Sequence, residues 1–333
     1  MRARVPGSVV GMHAQRHRSD ASLLGIDGSR QAVVRPRRDS IGGYVMQAPP
    51  PALNTRRWTI HEIIDAAVLV VLTAAGFLHP ESSGTWFSSL LFSFAVLVMP
   101  VLSGAAIVTW LSRRLGTRIQ GPRIKPAPMA REAFETARAM YVAACLMAWP
   151  LTAWRLGHPT GLVWNLDVHG VSVAAVVVQT ALGVIVIDAW LYWKHRLLHT
   201  RLLFGFHKSH HVFRDPTAFA GFAVGPIEAL LTFWPILLLC IPEALHWAPL
   251  YFALVVGFVN LNFYLHCGVT LSWVEKTLPR IFLNTSAFHN VHHARANTHF
   301  GEALYLWDVL CGTRLKAAEA TATGSAPNAS SSV

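Results

Sequence analysis

From Ile60 onward the chain alternates long apolar runs with short polar intervals. Six apolar stretches can be drawn: Ile60–Leu78, Trp86–Leu111, Ala139–Trp154, Val171–Trp193, Ile227–Ile241 and Trp247–Leu265. A helix needs about 20 apolar residues to cross a bilayer. The third and fifth stretches are therefore marginal, and the fifth and sixth read either as a tight hairpin or as two spans. Asp188 is the single charge inside the fourth. The pattern predicts an all-α membrane protein with about four to six transmembrane helices. The flanks read differently. Residues 1–57 carry ten Arg, three Asp and the run Pro49 to Pro51. No apolar segment follows the early arginines, so this is a disordered basic tail rather than a signal peptide, with Met12 or Met46 as alternative starts. Residues 316–333 are small and polar and read as a disordered C-terminal tail.

Composition sharpens this picture. Hydrophobic residues make up 53% and charged residues 14% of the 333, too apolar for an ordinary soluble domain. The net charge is +11, of which +7 falls in residues 1–57, leaving +4 for the other 276. A basic balance can signal nucleic acid, but here it lies in a tail and in one loop beside apolar runs, so no nucleic acid is expected. That loop, Ser112–Arg131, holds Arg113, Arg114, Arg118, Arg123, Lys125 and Arg131. The excess of Lys and Arg in cytoplasmic loops places it in the cytoplasm. Counting spans from there places both termini, Lys194–Pro226 and Gly268–Val333 on the same side. The four cysteines, Cys145, Cys240, Cys267 and Cys311, form no C-x-x-C pair, so neither a disulfide framework nor a zinc ribbon or iron–sulfur site is expected.

The histidines carry the chemistry. Eleven of the 17 lie between His195 and His299. Three clusters stand out: His195 with His199; His207 with His210 and His211; His289 with His292 and His293. Spacings of three and four share a helix face, so each cluster can aim two or three imidazoles at one centre. Neutral imidazole is the commonest protein metal ligand. Eight clustered imidazoles exceed what one tetrahedral zinc takes, and two metals with three to five nitrogens each fit the count. Imidazole suits zinc, copper, iron and nickel alike, so residue type leaves the metal open. The isolated His13, His17, His61, His79, His158, His169 and His246 read as ordinary polar residues. Asp188, Tyr192, His195 and His199 form one helical stripe. A carboxylate inside a span is costly, and Asp188 is expected to accept a hydrogen bond from a ligand ring.

This constellation resembles the fatty acid hydroxylase and sterol desaturase superfamily. The stripe from Asp188 through Tyr192 and His195 to His199 is similar to its first box, and His207-x-x-His210-His211 to its second. The segment from Asn262 to His266 and Gly268 resembles a shorter third element, and His289-x-x-His292-His293 the last box. The ending is similar as well, through His299-Phe300-Gly301 and the run from Trp307-Asp308 to Gly312-Thr313. His299 replaces the usual Asn and is either an extra ligand or a substitution; Gly225 stands where a His often precedes Pro226 and Glu228. The resemblance covers about Val171–Leu315. It implies metal ligation by His195, His199, His207, His210, His211, His266, His289, His292 and His293, with Asp188 and Tyr192 supporting. It further implies two non-haem irons, dioxygen as co-substrate, and oxidation of a C–H bond of a bilayer lipid such as a fatty acyl chain or sterol.

The implied organisation is an N-terminal membrane segment with the basic loop (58–170) and a catalytic segment with a cytoplasmic helical cap (171–315). No nucleotide fingerprint, C-x-x-C pair or haem domain is visible, so electrons are expected from a separate ferredoxin, rubredoxin or cytochrome b5 type of carrier. Desaturation, carotenoid ring hydroxylation and ether-lipid cleavage are alternatives to simple hydroxylation within the same chemistry. A histidine-rich metal transporter is disfavoured, because transporters place polar ligands near span midplanes, whereas these clusters sit in loops and at span ends.

Overall fold

A computed structural model describes residues 58–123 and 125–315; the expectations for the two tails lie outside the described residues. Helix α1, Ile60–Ala74, starts at a reciprocal cap. The Thr59 hydroxyl accepts the Glu62 N–H, and the Glu62 carboxylate accepts the Thr59 N–H at 2.9 Å. Two otherwise orphaned donors are thereby satisfied. Helix α2, Ser83–Leu115, is 33 residues long, carries Pro100 within it and has Arg113 and Arg114 in its last turn. Helices α3 (Met129–Arg155) and α4 (Val173–Leu198) follow. Next come α5 (Phe204–His211), α6 (Pro226–Phe233), α7 (Ala248–His266), α8 (Ser272–Thr277), α9 (Ser286–Arg295) and α10 (Leu306–Leu310).

Among the described residues, four helical segments are long and apolar enough to cross a membrane: Ile60–Phe77, Pro80–Leu115, Val173–Leu198 and Ala248–His266. The outer face of α4 exposes Val177, Val178, Leu182 and Val186, and that of α2 exposes Leu91, Phe92, Val96 and Met99. Continuous apolar faces of this size need a bilayer around them. The chain is a multi-pass membrane protein.

The two marginal stretches differ from the other four for identifiable reasons. The first half of α3 bears Arg131, Glu132, Glu135 and Arg138, and its apolar half is covered by protein, with Ala139, Val142, Ala143, Ala144 and Ala148 buried. Small side chains let neighbouring helices approach closely, and α2 packs along this face. The fifth stretch is α6 followed by the tighter 3-10 helix Trp234–Cys240. Pro235 has no N–H to return to the helix, and the Leu231 carbonyl is taken instead by the Trp190 indole N–H at 2.8 Å.

Two short strand pairs mark the ends of the bundle. Thr117–Arg118, just after α2, pairs antiparallel with Val269–Thr270, just after α7. Leu162–Val163 pairs in parallel with His246–Trp247 at the other end. The basic loop and the histidine-bearing ends of α4 and α7 therefore share one end. Arg118 and Arg123 both reach Asp215, at 2.6 and 3.2 Å. The buried Glu132 carboxylate accepts the Thr217 N–H at 3.2 Å and the Thr217 hydroxyl. These contacts fasten the segment after α5 to α2 and α3. Residues 58–315 belong to one compact unit.

Candidate metal centre

Four chain segments converge at the cap end. The last turn of α4 supplies His195, with His199 capping it; α5 supplies His207, His210 and His211; the last residue of α7 is His266; α9 supplies His289, His292 and His293. Among the described residues these nine rings form two groups: His195, His199, His207, His211 and His292 in one, His210, His266, His289 and His293 in the other. Within each group one ring nitrogen per residue lies within 4.8 Å of all the others.

This grouping corrects the expectation that each cluster aims at one centre. Successive residues of a helix point about 100° apart. His210 and His211 therefore face different groups, as do His292 and His293, while the i, i+4 pairs His207/His211 and His289/His293 stay together. The two groups touch, with the His211 and His293 ring centroids 5.1 Å apart.

The outward ring nitrogens fix the tautomers. His195 Nδ1–H donates to the Phe300 carbonyl at 2.8 Å, His292 Nδ1–H to the Thr298 carbonyl at 2.7 Å, and His266 Nδ1–H to the Asn262 carbonyl at 2.9 Å. His207 Nδ1–H donates to the Glu228 carboxylate at 2.7 Å. Each of these rings then has a bare Nε2 lone pair turned inward. His211 Nε2 lies 3.0 Å from His207 Nε2, 3.1 Å from His199 Nε2 and 3.2 Å from His292 Nε2. In the other group His266 Nε2 lies 2.9 Å from His289 Nε2 and 3.3 Å from His210 Nε2, and His289 and His293 Nε2 are 3.2 Å apart. Lone pairs crowded this closely repel unless something electrophilic sits between them. Nitrogens about 2.0–2.1 Å from a shared metal, at angles of about 90–110°, would be about 2.8–3.4 Å apart. The spacing fits two metals, one with five imidazoles and one with four. His195 Nε2 is buried without any hydrogen-bond partner, as a ligand nitrogen would be.

Burial keeps these rings neutral. It pushes His199, His211 and His292 down to about 3, helped by the neighbouring imidazoles, and holds His207, His210, His289 and His293 well below the ordinary histidine value. For metal-free protein the sign follows. Between about 6.5 and 3 the unfolded chain binds protons that the folded chain does not, so stability is complete above 6.5 and is lost as pH falls through that window. The melting temperature of metal-free protein in detergent is expected to be flat above pH 7 and to fall steeply below pH 6. A flat curve down to pH 4 would contradict this.

The remaining expected residues stand behind the rings. His299 belongs to neither group: its ring stacks on Phe288 at 3.7 Å, Nδ1–H donates to the Phe288 carbonyl at 2.9 Å, and Nε2 accepts the Leu315 N–H at 3.1 Å. With both nitrogens engaged it is not available as a ligand. The Asn262 side chain lines the cavity beside the second group.

Asp188 also differs from expectation. Its carboxylate touches no ligand ring and instead accepts the Ala303 and Leu304 N–H groups at 3.3 and 3.2 Å and the Trp307 indole N–H at 2.9 Å. His195 lies two turns on, but its partner is Phe300, in the segment that Asp188 anchors. Tyr192 is fully buried with its hydroxyl 2.9 Å from Thr313 Oγ1. Asp188→Ala should cut metal retention and activity by about 10–100-fold. Asp188→Asn leaves one oxygen for the two backbone donors but sets an amide against the Trp307 N–H. Adding Trp307→Phe removes that clash, so the double variant should lose less than the two single effects combined. Additive losses in activity and metal content would contradict the arrangement.

Reading the sequence alone missed three supports. Asp308 accepts the Phe300 and Gly301 N–H groups, each at 2.8 Å, and the Thr313 hydroxyl at 2.6 Å. A Cβ on Gly301 would sit 2.4 Å from the Leu304 carbonyl oxygen, so this loop accepts only glycine. Glu228 and Lys194 form the other two supports, meeting Glu302 beside His207. Charges lying in or beside apolar stretches were the available signal. A narrow cavity runs along both groups, walled by His195, His207, His210, His266 and His289 and by the apolar Phe222, Phe233 and Leu265.

Comparison with known proteins agrees with this geometry. Residues 180–313 match the family model described as fatty acid hydroxylase. The chain is similar to lathosterol oxidase of Rattus norvegicus, 34% identical over 130 residues, covering 38% of this chain and 41% of that one. It is similar to a Delta(7)-sterol 5(6)-desaturase of Aspergillus fumigatus, 28% identical over 202 residues, covering 60% and 54%. It is also similar to ornithine lipid hydroxylase of Rhizobium tropici, 34% identical over 143 residues, covering 40% and 41%. The matched part thus spans about two fifths to one half of the length of these curated relatives. No solved structure matches. The matched stretch contains all nine convergent histidines together with Asp188 and Asp308, and residues 180–313 are what matches the fatty acid hydroxylase family, with a sterol desaturase among the similar proteins.

Proposed function

We propose that this chain is a membrane-embedded, dioxygen-dependent oxidoreductase that holds two irons and hydroxylates or desaturates a C–H bond of a lipid. The observation that carries this reading is the pair of imidazole groups, five and four rings, with inward lone pairs about 3 Å apart beside a cavity whose wall includes Phe222, Phe233 and Leu265. The names of the relatives, a sterol oxidase, a sterol desaturase and a lipid hydroxylase, support a lipid substrate. A bound iron pair would supply the oxidation by dioxygen of an unactivated carbon.

The chain's own residues do the rest. The nine histidines hold and separate the metals, and the carbonyls of Phe300, Thr298 and Asn262 and the carboxylate of Glu228 orient the rings. Phe222, Phe233 and Leu265 keep water from the wall of the cavity where an acyl or sterol carbon would lie. In this proposal residues 171–315 carry the chemistry, and 58–170 brace them from within the bilayer. The excess of Arg and Lys in the loop between α2 and α3 supports a cytoplasmic cap and cytoplasmic termini. A small electron carrier of ferredoxin, rubredoxin or cytochrome b5 type would meet the cap there.

Lipid analysis of a host with and without the chain tests this reading. A lipid gaining one oxygen indicates hydroxylation, and one losing two hydrogens indicates desaturation. Identical lipid profiles, with the protein expressed and metal-loaded, would sink it.

A further inference from the structure

Among the described residues three charged side chains meet almost out of reach of solvent on one side of the cavity. Lys194 Nζ lies 2.5 Å from Glu302 Oε1, 3.0 Å from Thr232 Oγ1 and 3.9 Å from Glu228 Oε1, with the Lys194 and Glu228 side chains only 2% and 3% exposed. The other oxygen of Glu228 accepts the His207 Nδ1–H at 2.7 Å. A row therefore runs from Glu302 through Lys194 and Glu228 to a ring of the five-imidazole group.

We propose that Lys194, clamped by Glu302, is a positioning residue that holds the Glu228 carboxylate against His207 and so secures the five-imidazole metal selectively. This rests on the two-metal reading above. The argument begins with the acceptors. His195, His266 and His292 donate to backbone carbonyls, which the helices and loops already hold in place. His207 donates to a flexible side chain, which needs an anchor of its own. Burying a carboxylate without a charge partner is strongly unfavourable, and among the described residues Lys194 is the ammonium within reach. Lys194 is held in turn by Glu302 and by Thr232, whose hydroxyl donates to the Glu228 carbonyl at 2.8 Å. Lys194 and His195 are adjacent on α4, so their side chains diverge by about 100°. One helix end thus supplies a ligand in one direction and the anchor of another ligand's partner in the next. The four-imidazole group has no carboxylate contact among its described ring hydrogen bonds.

The test is metal retention, read without turnover. The full chain in nanodiscs is loaded with cobalt(II) as a probe and titrated with EDTA, giving one release curve per metal. The release belonging to the five-imidazole site is identified as the one that His199→Ala removes. In Lys194→Met and in Glu228→Ala that release should move to about 10–100-fold lower EDTA while the other keeps its unmodified midpoint, and its cobalt absorption bands should shift. Lys194→Arg should restore most of the difference. The unmoved second release shows that the variant is folded. Wild-type release of both metals in Lys194→Met, or equal weakening of both, would overturn the inference. Failure of the unmodified protein to take up two metals would instead overturn the two-metal reading itself, and the inference with it.

Discussion

Replacing one ligand in each group is expected to abolish turnover while removing different metals. His195→Ala takes away a ring whose Nδ1–H is held by the Phe300 carbonyl and whose bare Nε2 is buried without a partner. His266→Ala takes away a ring whose Nε2 lies 2.9 Å from His289 Nε2. The first belongs to the group of five and the second to the group of four. Loss of a ligand should exceed the about 10–100-fold effect typical of outer hydrogen-bond partners. His266→Ala should be the more damaging to metal content, because three imidazoles remain rather than four. His246→Ala, at the far end of the bundle beside Trp247, is the control and should keep both metal and activity. Full activity in either ligand variant would remove that ring from the site. Loss of both metals together in each variant would mean that the two groups form one cooperative centre.

Asp308→Ala is expected to be the most damaging change outside the nine rings. Asp308 is fully buried and accepts three hydrogen bonds, from the Phe300 and Gly301 N–H groups and the Thr313 hydroxyl. Each buried donor left without a partner costs about 1–3 kcal/mol, so the variant should lose several kcal/mol of stability. The functional route is specific. The same Phe300 whose N–H Asp308 holds also offers its carbonyl to His195. Releasing that loop frees the ring, so metal retention at the five-imidazole site should fall even in variants that remain folded. Asp308→Asn keeps one acceptor oxygen and should fall between wild type and alanine. Thermal melting and metal content, measured together, check both halves. Unchanged metal content in a destabilised Asp308→Ala protein would confine Asp308 to a folding role.

Much of this arrangement was legible in the sequence. Four of the six apolar stretches stand out as spans because their residues are apolar all round, as a lipid-facing helix requires. The third stretch was hard to place because α3 is shielded by protein, so small residues such as Ala139 and Ala143 replace large apolar ones. The fifth hid its break at Pro235, because the orphaned Leu231 carbonyl is satisfied by Trp190, 41 residues away in the chain. Eight of the nine convergent histidines could be named from their spacing, and His266 only from the family resemblance. Their division could not, because spacing alone does not say which of two adjacent helix positions faces which group, and adjacent histidines diverge by about 100°. The supports were least legible. Asp188 stood out as a charge in a span, but its partners come from residues 303–307, and nothing local announces that pairing. The Lys194 and Glu228 pairing is likewise settled by tertiary packing alone.

The central claim is a pair of irons held by nitrogen ligands, and metal analysis of the purified chain tests it most directly. Protein extracted in detergent without chelator, from an iron-sufficient host, should contain two irons per chain. Removing them should abolish lipid oxidation, and iron(II) but not zinc(II) should restore it. A single tightly held zinc per chain, with lipid oxidation indifferent to iron removal, would contradict the account.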